Sequence, residues 1–543
     1  MPKTDDSRLQ TLVIGIDGAS MNVLSERPEG TIPTIRDIFE TGVSGPLESQ
    51  TPPWTPSAWP SMYTGVNPGK HGVYSFLRFE GYDWDVVNAT DVKERTIWEL
   101  LSERGHSSVV VNAPVTHPSN EFDGALVPGY LAPEDPQCHP QGLLSDIRSE
   151  LGEYRLYNDD IGPEDTEQDQ IDAYEELVTM RGEAFRYLAD RYDPEFGFLQ
   201  FQQTDTLFHE SPENDDIVDA VYAAVDDQIS QTLDACDPDV VFLVSDHGLG
   251  PYNGHEFRVN SFLRDEGYVQ TVTGEGGMPS WNSIARNRLQ NGEDGGTPDP
   301  SATERLLQLS AKAGLTSQRI ESLVSALGVK DLVIKVAPVD AMRAASERVD
   351  FAESAAYFRD RVELGVRLNL AGREPNGVVP EADYETTRRE IIEALSAVET
   401  PDGDPVFDDV LPREEVFHGP YVEDAPDIVT IPADYDQFLS ASLRGAQFGE
   451  PSEPWNHKLH GIFAVDGAVD TDAEVTDAHL LDIAPSVLST MDEPMSDRMD
   501  GTALSVVEPP EMSTYEEYHP YGGVETADGD MEDRLSDLGY LEQ

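Results

Sequence analysis

Six aspartate and histidine residues lie at the ends of predicted strands or beside them, with His457 just before the strand "GIFAVDG", and together they could bind divalent metal ions. The motifs that contain them are "VIGIDG", "QQTDTLFH", "VSDHG" and "HKLHG". In open parallel sheets, ligands bind at the edge formed by the carboxyl ends of the strands. A mixture of histidine and carboxylate suits zinc or manganese better than magnesium, which favours all-oxygen sites. The six candidate ligands are Asp17, Asp205, His209, Asp246, His247 and His457.

The spacing within these motifs supports a site with two ions. Asp205 and His209 are four residues apart, so one helical turn would place both side chains on the same face. Asp246 and His247 are adjacent in a loop, where their side chains can diverge toward two ions. Each residue alone has an ordinary explanation, since aspartate before glycine is a common turn residue. Two ions close together would stabilise the entering and leaving oxygens of a phosphoryl displacement.

The segment "TPPWTPSAWPSMYTGVNPGKHGVYSF" could supply a nucleophile. Its hydroxyl candidates are Thr55, Ser57, Ser61 and Thr64. A hydroxyl is a weak nucleophile until metal coordination lowers its pKa. Three prolines would hold the loop rigid, which favours a positioned attacking group. A rigid structural loop with both tryptophans in the core would explain the same composition, so the residues alone do not select one hydroxyl.

The elements around these motifs predict an α/β fold. Apolar runs such as "TLVIGIDG", "HSSVVVNAP", "FGFLQFQQTD" and "DVVFLVSDHG" alternate with helical segments such as "ERTIWELLSERG". This alternation indicates a mostly parallel sheet covered by helices on both faces. We expect a catalytic core in residues 1–270 and 351–507, and a helical cap insertion in 271–350. Residues 508–543 are expected to form a linker and a short C-terminal helix.

The composition limits the partners and the compartment. The chain has 543 residues, 104 acidic against 36 basic, and a formal net charge of −68. Such a surface repels polymeric nucleic acid and anionic membranes, and its even distribution suits high salt. The two cysteines, Cys138 and Cys236, form no disulfide framework. We find no signal-peptide pattern and no membrane-span pattern, and we expect a cytoplasmic protein that acts on a small phosphorylated substrate.

Taken in order, these motifs resemble the alkaline phosphatase superfamily, and most closely its type I phosphodiesterase/nucleotide pyrophosphatase-like branch of phosphohydrolases and phosphomutases. The resemblance covers residues 11–270 and 350–507. It includes "GIDG", "APVTHP", "TDTLFH", "SDHG", "NLAGREPNGVV", "HKLHGIF" and "DIAPSVL". The fold it implies is an alkaline-phosphatase-like core.

The resemblance implies a role for each candidate ligand. One metal would be held by Asp17, Thr55, Asp246 and His247. The second would be held by Asp205, His209 and His457, with the spacing to "GIF" favouring His457 over His460. Thr55 would form a covalent phosphothreonine. Donors for the phosphoryl oxygens would come from Lys70, His71, Asn112 and His255.

The resemblance leaves several activities open. A phosphodiester or nucleotide pyrophosphate is the expected substrate, whereas a phosphomonoesterase or a phosphomutase would use the same metals. A catalytically silent binding protein is the alternative from a different class. Sulfatase chemistry is disfavoured, because "TPSAW" offers Thr55 and Ala58 where sulfatases of this fold have cysteine or serine and arginine.

Overall fold

A computed structural model describes residues 9–158, 165–212, 214–273, 347–443, 445–516, 518, 531, 534 and 535. The strands are β1 Thr11–Ile16, β2 Val43–Glu48, β3 Leu77–Glu80, β4 Asp83–Val86, β5 Ser108–Ala113, β6 Gly124–Pro128, β7 Phe196–Phe201, β8 Val240–Val244, β9 Gly248–Pro251, β10 Glu256–Arg258, β11 Thr271–Thr273, β12 Glu347–Val349, β13 Ala356–Phe358, β14 Gly365–Leu368, β15 Phe407–Pro412, β16 Ile428–Pro432, β17 Phe438–Ser440, β18 Phe448–Gly449, β19 Trp455–Lys458, β20 His460–Gly467, β21 Met495–Ser496 and β22 Met512–Ser513. The α-helices are α1 Met21–Glu26, α2 Pro33–Thr41, α3 Thr55–Thr64, α4 Pro68–His71, α5 Ile97–Arg104, α6 Leu143–Leu151, α7 Glu167–Tyr192, α8 Gln203–Glu210, α9 Asp215–Cys236, α10 Val259–Asp265, α11 Tyr384–Ser396 and α12 Ile483–Thr490.

A seven-stranded sheet forms the centre of the fold, in the order β2-β20-β8-β1-β7-β5-β6. Strands β8, β1, β7, β5 and β6 pair in parallel, whereas β20 runs antiparallel to both β8 and β2. This arrangement confirms the predicted α/β class with a mostly parallel sheet between helices.

Side chains of the central strands alternate between two apolar cores, as the period of a β-strand requires. In β1, Leu12 and Ile14 join the core that contains Phe185 of α7. Val13 faces the other way and joins the core that contains Trp59 of α3. Because both faces of the sheet are covered, the strands are continuous apolar runs, and such runs can be recognised in the sequence.

Smaller sheets accompany the central one. Strands β13, β14, β16 and β15 form a four-stranded antiparallel sheet, and β17, β10 and β18 form a three-stranded one. The short ribbon of β9 and β19 pairs His457 with Leu249. This ribbon holds a candidate ligand beside the edge of the central sheet.

Most of the predicted cap insertion, residues 274–346, lies outside the described residues. Its flanks are described: β11 and β12 pair antiparallel, with Thr271 opposite Val349. The two ends of the segment therefore leave the fold side by side, as an insertion requires, and the domain boundaries stay a prediction. No helix in the described part of the chain is both long and apolar enough to cross a membrane.

Candidate active site

The adjacent central strands β8, β1 and β7 lead to five of the six candidate ligands at one edge of the sheet, and β19 carries the sixth, His457. Asp17 follows β1 directly, and Asp246 and His247 follow β8. Strand β7 ends at Phe201, and Asp205 lies in the first turn of α8 rather than at the strand end that the sequence suggested. The predicted helical spacing of Asp205 and His209 is present in α8, and their side chains meet.

The first group of ligands surrounds the hydroxyl of Thr55. Thr55 Oγ1 lies 3.5 Å from Asp17 Oδ1 and 3.3 Å from His247 Nε2. His247 Nε2 is 3.1 Å from Asp246 Oδ2 and 3.6 Å from Asp17 Oδ1. All four residues are fully buried. Polar atoms so close together without solvent are a fitting donor set for a metal ion.

The second group lies directly beside the first. Asp205 Oδ1 is 3.5 Å from His209 Nε2 and 3.7 Å from His457 Nε2. The rings of His247 and His457 stack with centroids 3.8 Å apart. Ligand atoms of Asp205, His247 and His457 lie within 4.8 Å of one another, as do those of Asp17, Asp246 and His247. His247 therefore stands between the two groups.

The hydrogen bonds of the histidine rings favour metal coordination through Nε2. His457 Nδ1 lies 2.9 Å from the Pro53 carbonyl oxygen, and His247 Nδ1 lies 3.1 Å from that of Gly248. A carbonyl only accepts, so Nδ1 carries the hydrogen in both rings and Nε2 is left to offer a lone pair. Such carbonyl partners are typical of metal-ligating histidines. The residues present thus fit two divalent ions.

The buried carboxylates of the site repel one another, which favours the binding of cations. Burial, together with the negative charges of Asp246 and Asp205, raises the pKa of Asp17 well above its ordinary value. Burial and the neighbouring His247 and His209 lower the pKa of His457 well below its ordinary value. Burial opposes protonation of His247 as well, but the Asp246 and Asp205 carboxylates and the Gly248 carbonyl together outweigh it, so the pKa of His247 is raised. Divalent cations would relieve the repulsion among these carboxylates.

The four candidate hydroxyls occupy different environments, although all lie in α3. Ser57 Oγ donates to the Val73 carbonyl, 3.1 Å away, and Ser61 Oγ donates to the Ser57 carbonyl, 2.9 Å away. Thr64 Oγ1 donates to the Pro60 carbonyl. Only Thr55, the first residue of the helix, turns its hydroxyl toward the ligands. The helix N-terminus adds partial positive charge at that position.

His457 and His460, which the sequence alone offered as alternatives, are separated by the structure. His457 is 1% exposed and lies near Asp205. His460 begins β20, is exposed, and stands opposite Glu48. The assignment of His457 as a metal ligand stays a prediction.

The four predicted phosphate donors have other partners in this structure. Lys70 forms an ion pair with Asp500, and His255 Nε2 lies 2.8 Å from Asp402 Oδ2. His71 Nε2 lies 2.8 Å from Ser61 Oγ. Asn112 Nδ2 donates to Gln200 Oε1 at 2.6 Å, and its Oδ1 accepts from Arg181. Donation to substrate by any of the four stays a prediction.

Sequence reasoning missed the side chains that hold Asp17. Gln200 Nε2 and Trp59 Nε1 donate to Asp17 Oδ2 at 2.7 and 2.8 Å. Trp59 reaches this position because Gly15 has no side chain: a Cβ there would lie 2.3 Å from the indole. A glycine inside a strand is a sequence signal for such a close approach. Trp54 is also near the ligands, stacked on His457 with ring centroids 5.1 Å apart.

The sequence of this chain matches a known family. The model described as type I phosphodiesterase/nucleotide pyrophosphatase matches residues 11–322, more than half of the 543 residues. The chain belongs to this family. This membership places the chain among the phosphoryl-transfer hydrolases. No curated protein matches the chain by sequence.

Several solved structures are similar to this chain at low sequence identity. Phosphonoacetate hydrolase from Sinorhizobium meliloti 1021, in complex with phosphonoformate, is 15% identical with a TM-score of 0.50, over 88% of this chain and 94% of its own. Murine ectonucleotide pyrophosphatase/phosphodiesterase 5 is 12% identical with a TM-score of 0.47, over 90% of this chain and 96% of its own. The human protein of that name is 13% identical with a TM-score of 0.48, over 91% and 97%. Of these three structures, the hydrolase reaches a TM-score of 0.5, and it supports the fold alone.

Proposed function

We propose that this protein is a two-metal phosphodiesterase or nucleotide pyrophosphatase that works through a covalent phosphothreonine on Thr55. One observation carries the proposal: Thr55 Oγ1 lies within 3.5 Å of both Asp17 Oδ1 and His247 Nε2, at the start of α3. The other hydroxyls of this helix donate to backbone carbonyls. Family membership supports the reaction class.

The proposal assigns each ligand to one of two ions. Asp17, Thr55, Asp246 and His247 would hold the first, and Asp205, His209 and His457 the second. Zinc or manganese suits this set of histidines and carboxylates better than magnesium. When bound, the ions lower the pKa of coordinated hydroxyls and neutralise charge on the phosphoryl group.

In the first step, Thr55 Oγ bonds to phosphorus, and the bond from phosphorus to the leaving oxygen breaks. The proton of the Thr55 hydroxyl passes by way of solvent to the leaving oxygen, and the leaving group departs as an alcohol or a phosphate. In the second step, an oxygen of water bonds to phosphorus while the bond to Thr55 Oγ breaks. The threonine hydroxyl is restored. The net reaction adds one water across the ester or pyrophosphate bond.

The chain's own residues fix the geometry of these steps. Gln200 and Trp59 hold Asp17 Oδ2, which directs Oδ1 toward Thr55. The carbonyls of Pro53 and Gly248 orient His457 and His247. Positioning of this kind can contribute several kcal/mol to a displacement, because the reacting groups lose little further freedom.

The reaction class is tested by hydrolysis of bis-p-nitrophenyl phosphate and p-nitrophenyl phosphate in molar salt. The full chain is freed of metal with a chelator and then supplied with Zn²⁺ or Mn²⁺. We expect diester turnover that disappears on chelation and returns with metal. A preference for the monoester would indicate a phosphomonoesterase instead. Absence of turnover of both esters, with either metal, would contradict the proposal and favour a phosphomutase or a silent binding protein.

A further inference from the structure

A buried arginine lies at the start of a hydrogen-bond chain that leads to the site. Arg181 of α7 is 0% exposed. Its guanidinium donates to the carbonyls of Arg155 and Leu156 and, through Nε at 3.1 Å, to Asn112 Oδ1. Within the described part of the chain, no carboxylate lies within ion-pair distance of it. In a protein with 104 acidic residues, a fully buried arginine bonded to neutral acceptors requires an explanation.

Arg181 and the Gln200 backbone together set which way the Asn112 side chain points. A guanidinium has donors only, so the oxygen of the Asn112 amide must face it. The Asn112 nitrogen therefore faces Gln200, where it donates to Oε1 at 2.6 Å and to the backbone carbonyl at 3.2 Å. Asn112 has a φ of 67°, and the pairing of β5 with β6 shifts register between Val111 and Ala113. Asparagine adopts this left-handed conformation more readily than most residues.

The orientation of the Gln200 amide links Asn112 to both ligand groups. Since its oxygen accepts from Asn112, its nitrogen faces Asp17 Oδ2, 2.7 Å away, and Gln202 Oε1, 3.0 Å away. Gln202 Nε2 in turn donates to Asp205 Oδ2 at 3.4 Å. The chain of amides thus ends on one carboxylate of each group.

Both carboxylates are held in the same manner. The Oδ2 atoms of Asp17 and Asp205 accept from the amides. The Oδ1 atoms face the ligands: Asp17 Oδ1 lies near Thr55 and His247, and Asp205 Oδ1 lies near His209 and His457. A reversed Gln200 amide would place an oxygen against the Asp17 carboxylate, where two acceptors repel.

We propose that Arg181 is a positioning residue for both metal groups, acting through an amide relay formed by Asn112, Gln200 and Gln202. Its obligate donors fix the orientation of Asn112, and each amide then fixes the next. The relay leaves Oδ1 of Asp17 and of Asp205 directed at the ions. This inference rests on the proposed two-metal site.

The test is Mn²⁺ binding to the full, chelator-treated chain in molar salt, measured by titration calorimetry and by the electron paramagnetic resonance signal of free Mn²⁺. Arg181→Met removes the obligate donor, and Asn112→Asp keeps an acceptor for Arg181 but cannot donate to Gln200. We expect both variants to bind Mn²⁺ at least about tenfold more weakly than wild type, as is typical when outer partners of metal ligands are lost. Arg181→Lys, which keeps donors only, is expected to bind more tightly than Arg181→Met.

Arg186→Met is the matched control. Arg186 lies on the same helix, but Nη1 contacts Thr232 Oγ1 of α9 at 3.3 Å instead of the relay. We expect it to bind Mn²⁺ as wild type does. Thermal unfolding of each variant shows whether it is folded. If Arg181→Met is not folded, the Mn²⁺ affinity of Asn112→Asp tests the relay by itself.

The outcomes separate this inference from the proposed function. Wild-type affinity in folded Arg181→Met and Asn112→Asp would overturn the relay while leaving the two-metal site in place. An equal loss in Arg186→Met would also overturn it, because the effect would then be general. A wild-type chain that binds no Mn²⁺ would remove the two-metal site itself, and the relay with it.

Discussion

Two histidines three positions apart, His457 and His460, differ in burial and in their surroundings. Within the proposed site His457 is a ligand, whereas His460 lies on the surface of β20. We expect His457→Ala to lose one of two bound Mn²⁺ ions and His460→Ala to keep both. Equilibrium dialysis of the folded variants measures the ratio. Equal metal content in the two variants would show that His457 is not a ligand.

A third histidine, His71, should make the protein sensitive to acid. Burial lowers the pKa of His71 to about 3, against the opposing charge of Asp500. The Val73 N–H donates to His71 Nδ1 at 3.2 Å, so a proton on Nδ1 would face another donor. Below its ordinary pKa, the unfolded chain binds a proton that the folded chain does not. Stability is therefore lost as the pH falls from about 6.5 toward about 3, by up to about 4 kcal/mol.

The His71 effect is measured by urea unfolding of chelator-treated protein in molar salt between pH 7 and pH 4. We expect His71→Gln to reduce the loss of stability across this interval, because glutamine gains no charge there. His460→Gln, at an exposed position, serves as the control and should follow wild type. If His71→Gln and wild type lose stability in parallel, the buried imidazole is not the cause.

At the residue scale, the sequence identifies candidate ligands that the structure brings together, but it does not identify the groups that orient them. The six candidate ligands stand in short motifs at or beside predicted strands, where residue type and spacing are visible. The choice of Thr55 among four hydroxyls came from the resemblance and not from composition. Arg181 was not predicted, since its role depends on contact with Asn112, 69 positions away in the chain, and on the direction of an amide.

At the scale of elements, the packing of β1 against α3 determines where Asp17 and Thr55 meet. Gly15 leaves room for the Trp59 indole, which then donates to Asp17. We expect Gly15→Ala to reduce the free energy of unfolding by roughly 1–3 kcal/mol, because overpacking displaces the ring. Denaturant unfolding measures this loss. Trp59→Phe provides the partner for a double-mutant cycle, in which the cost of Gly15→Ala should fall.

A cycle with no coupling between Gly15→Ala and Trp59→Phe would contradict the proposed clash.

The secondary-structure elements themselves were largely predictable, because strands buried on both faces are continuous apolar runs. Two departures have physical reasons. The polar segment after Phe201 turns into α8 instead of extending the strand, and β19 pairs with β9 outside the central sheet. The local apolar pattern determines neither which strand β19 pairs with nor where helix α8 begins.

At the scale of the whole molecule, the net charge of −68 opposes the folded state through self-repulsion. The screening length falls from about 10 Å at 0.1 M salt to about 3 Å at 1 M. We therefore expect the melting temperature to rise steadily with NaCl over this range. Sucrose, which does not screen charge, controls for general solute effects. A melting temperature independent of NaCl would show that this acidic surface does not require salt.

The central claim is that Thr55 is the nucleophile, and the most direct measurement is diester hydrolysis by variants of helix α3. In molar salt with Mn²⁺ or Zn²⁺, we expect Thr55→Ala to lose at least about 1000-fold in kcat on bis-p-nitrophenyl phosphate, because the attacking oxygen is gone. Thr55→Ser should retain part of the activity. Ser57→Ala, two residues on, should turn over at close to the wild-type rate. Undiminished hydrolysis by folded Thr55→Ala would contradict the account.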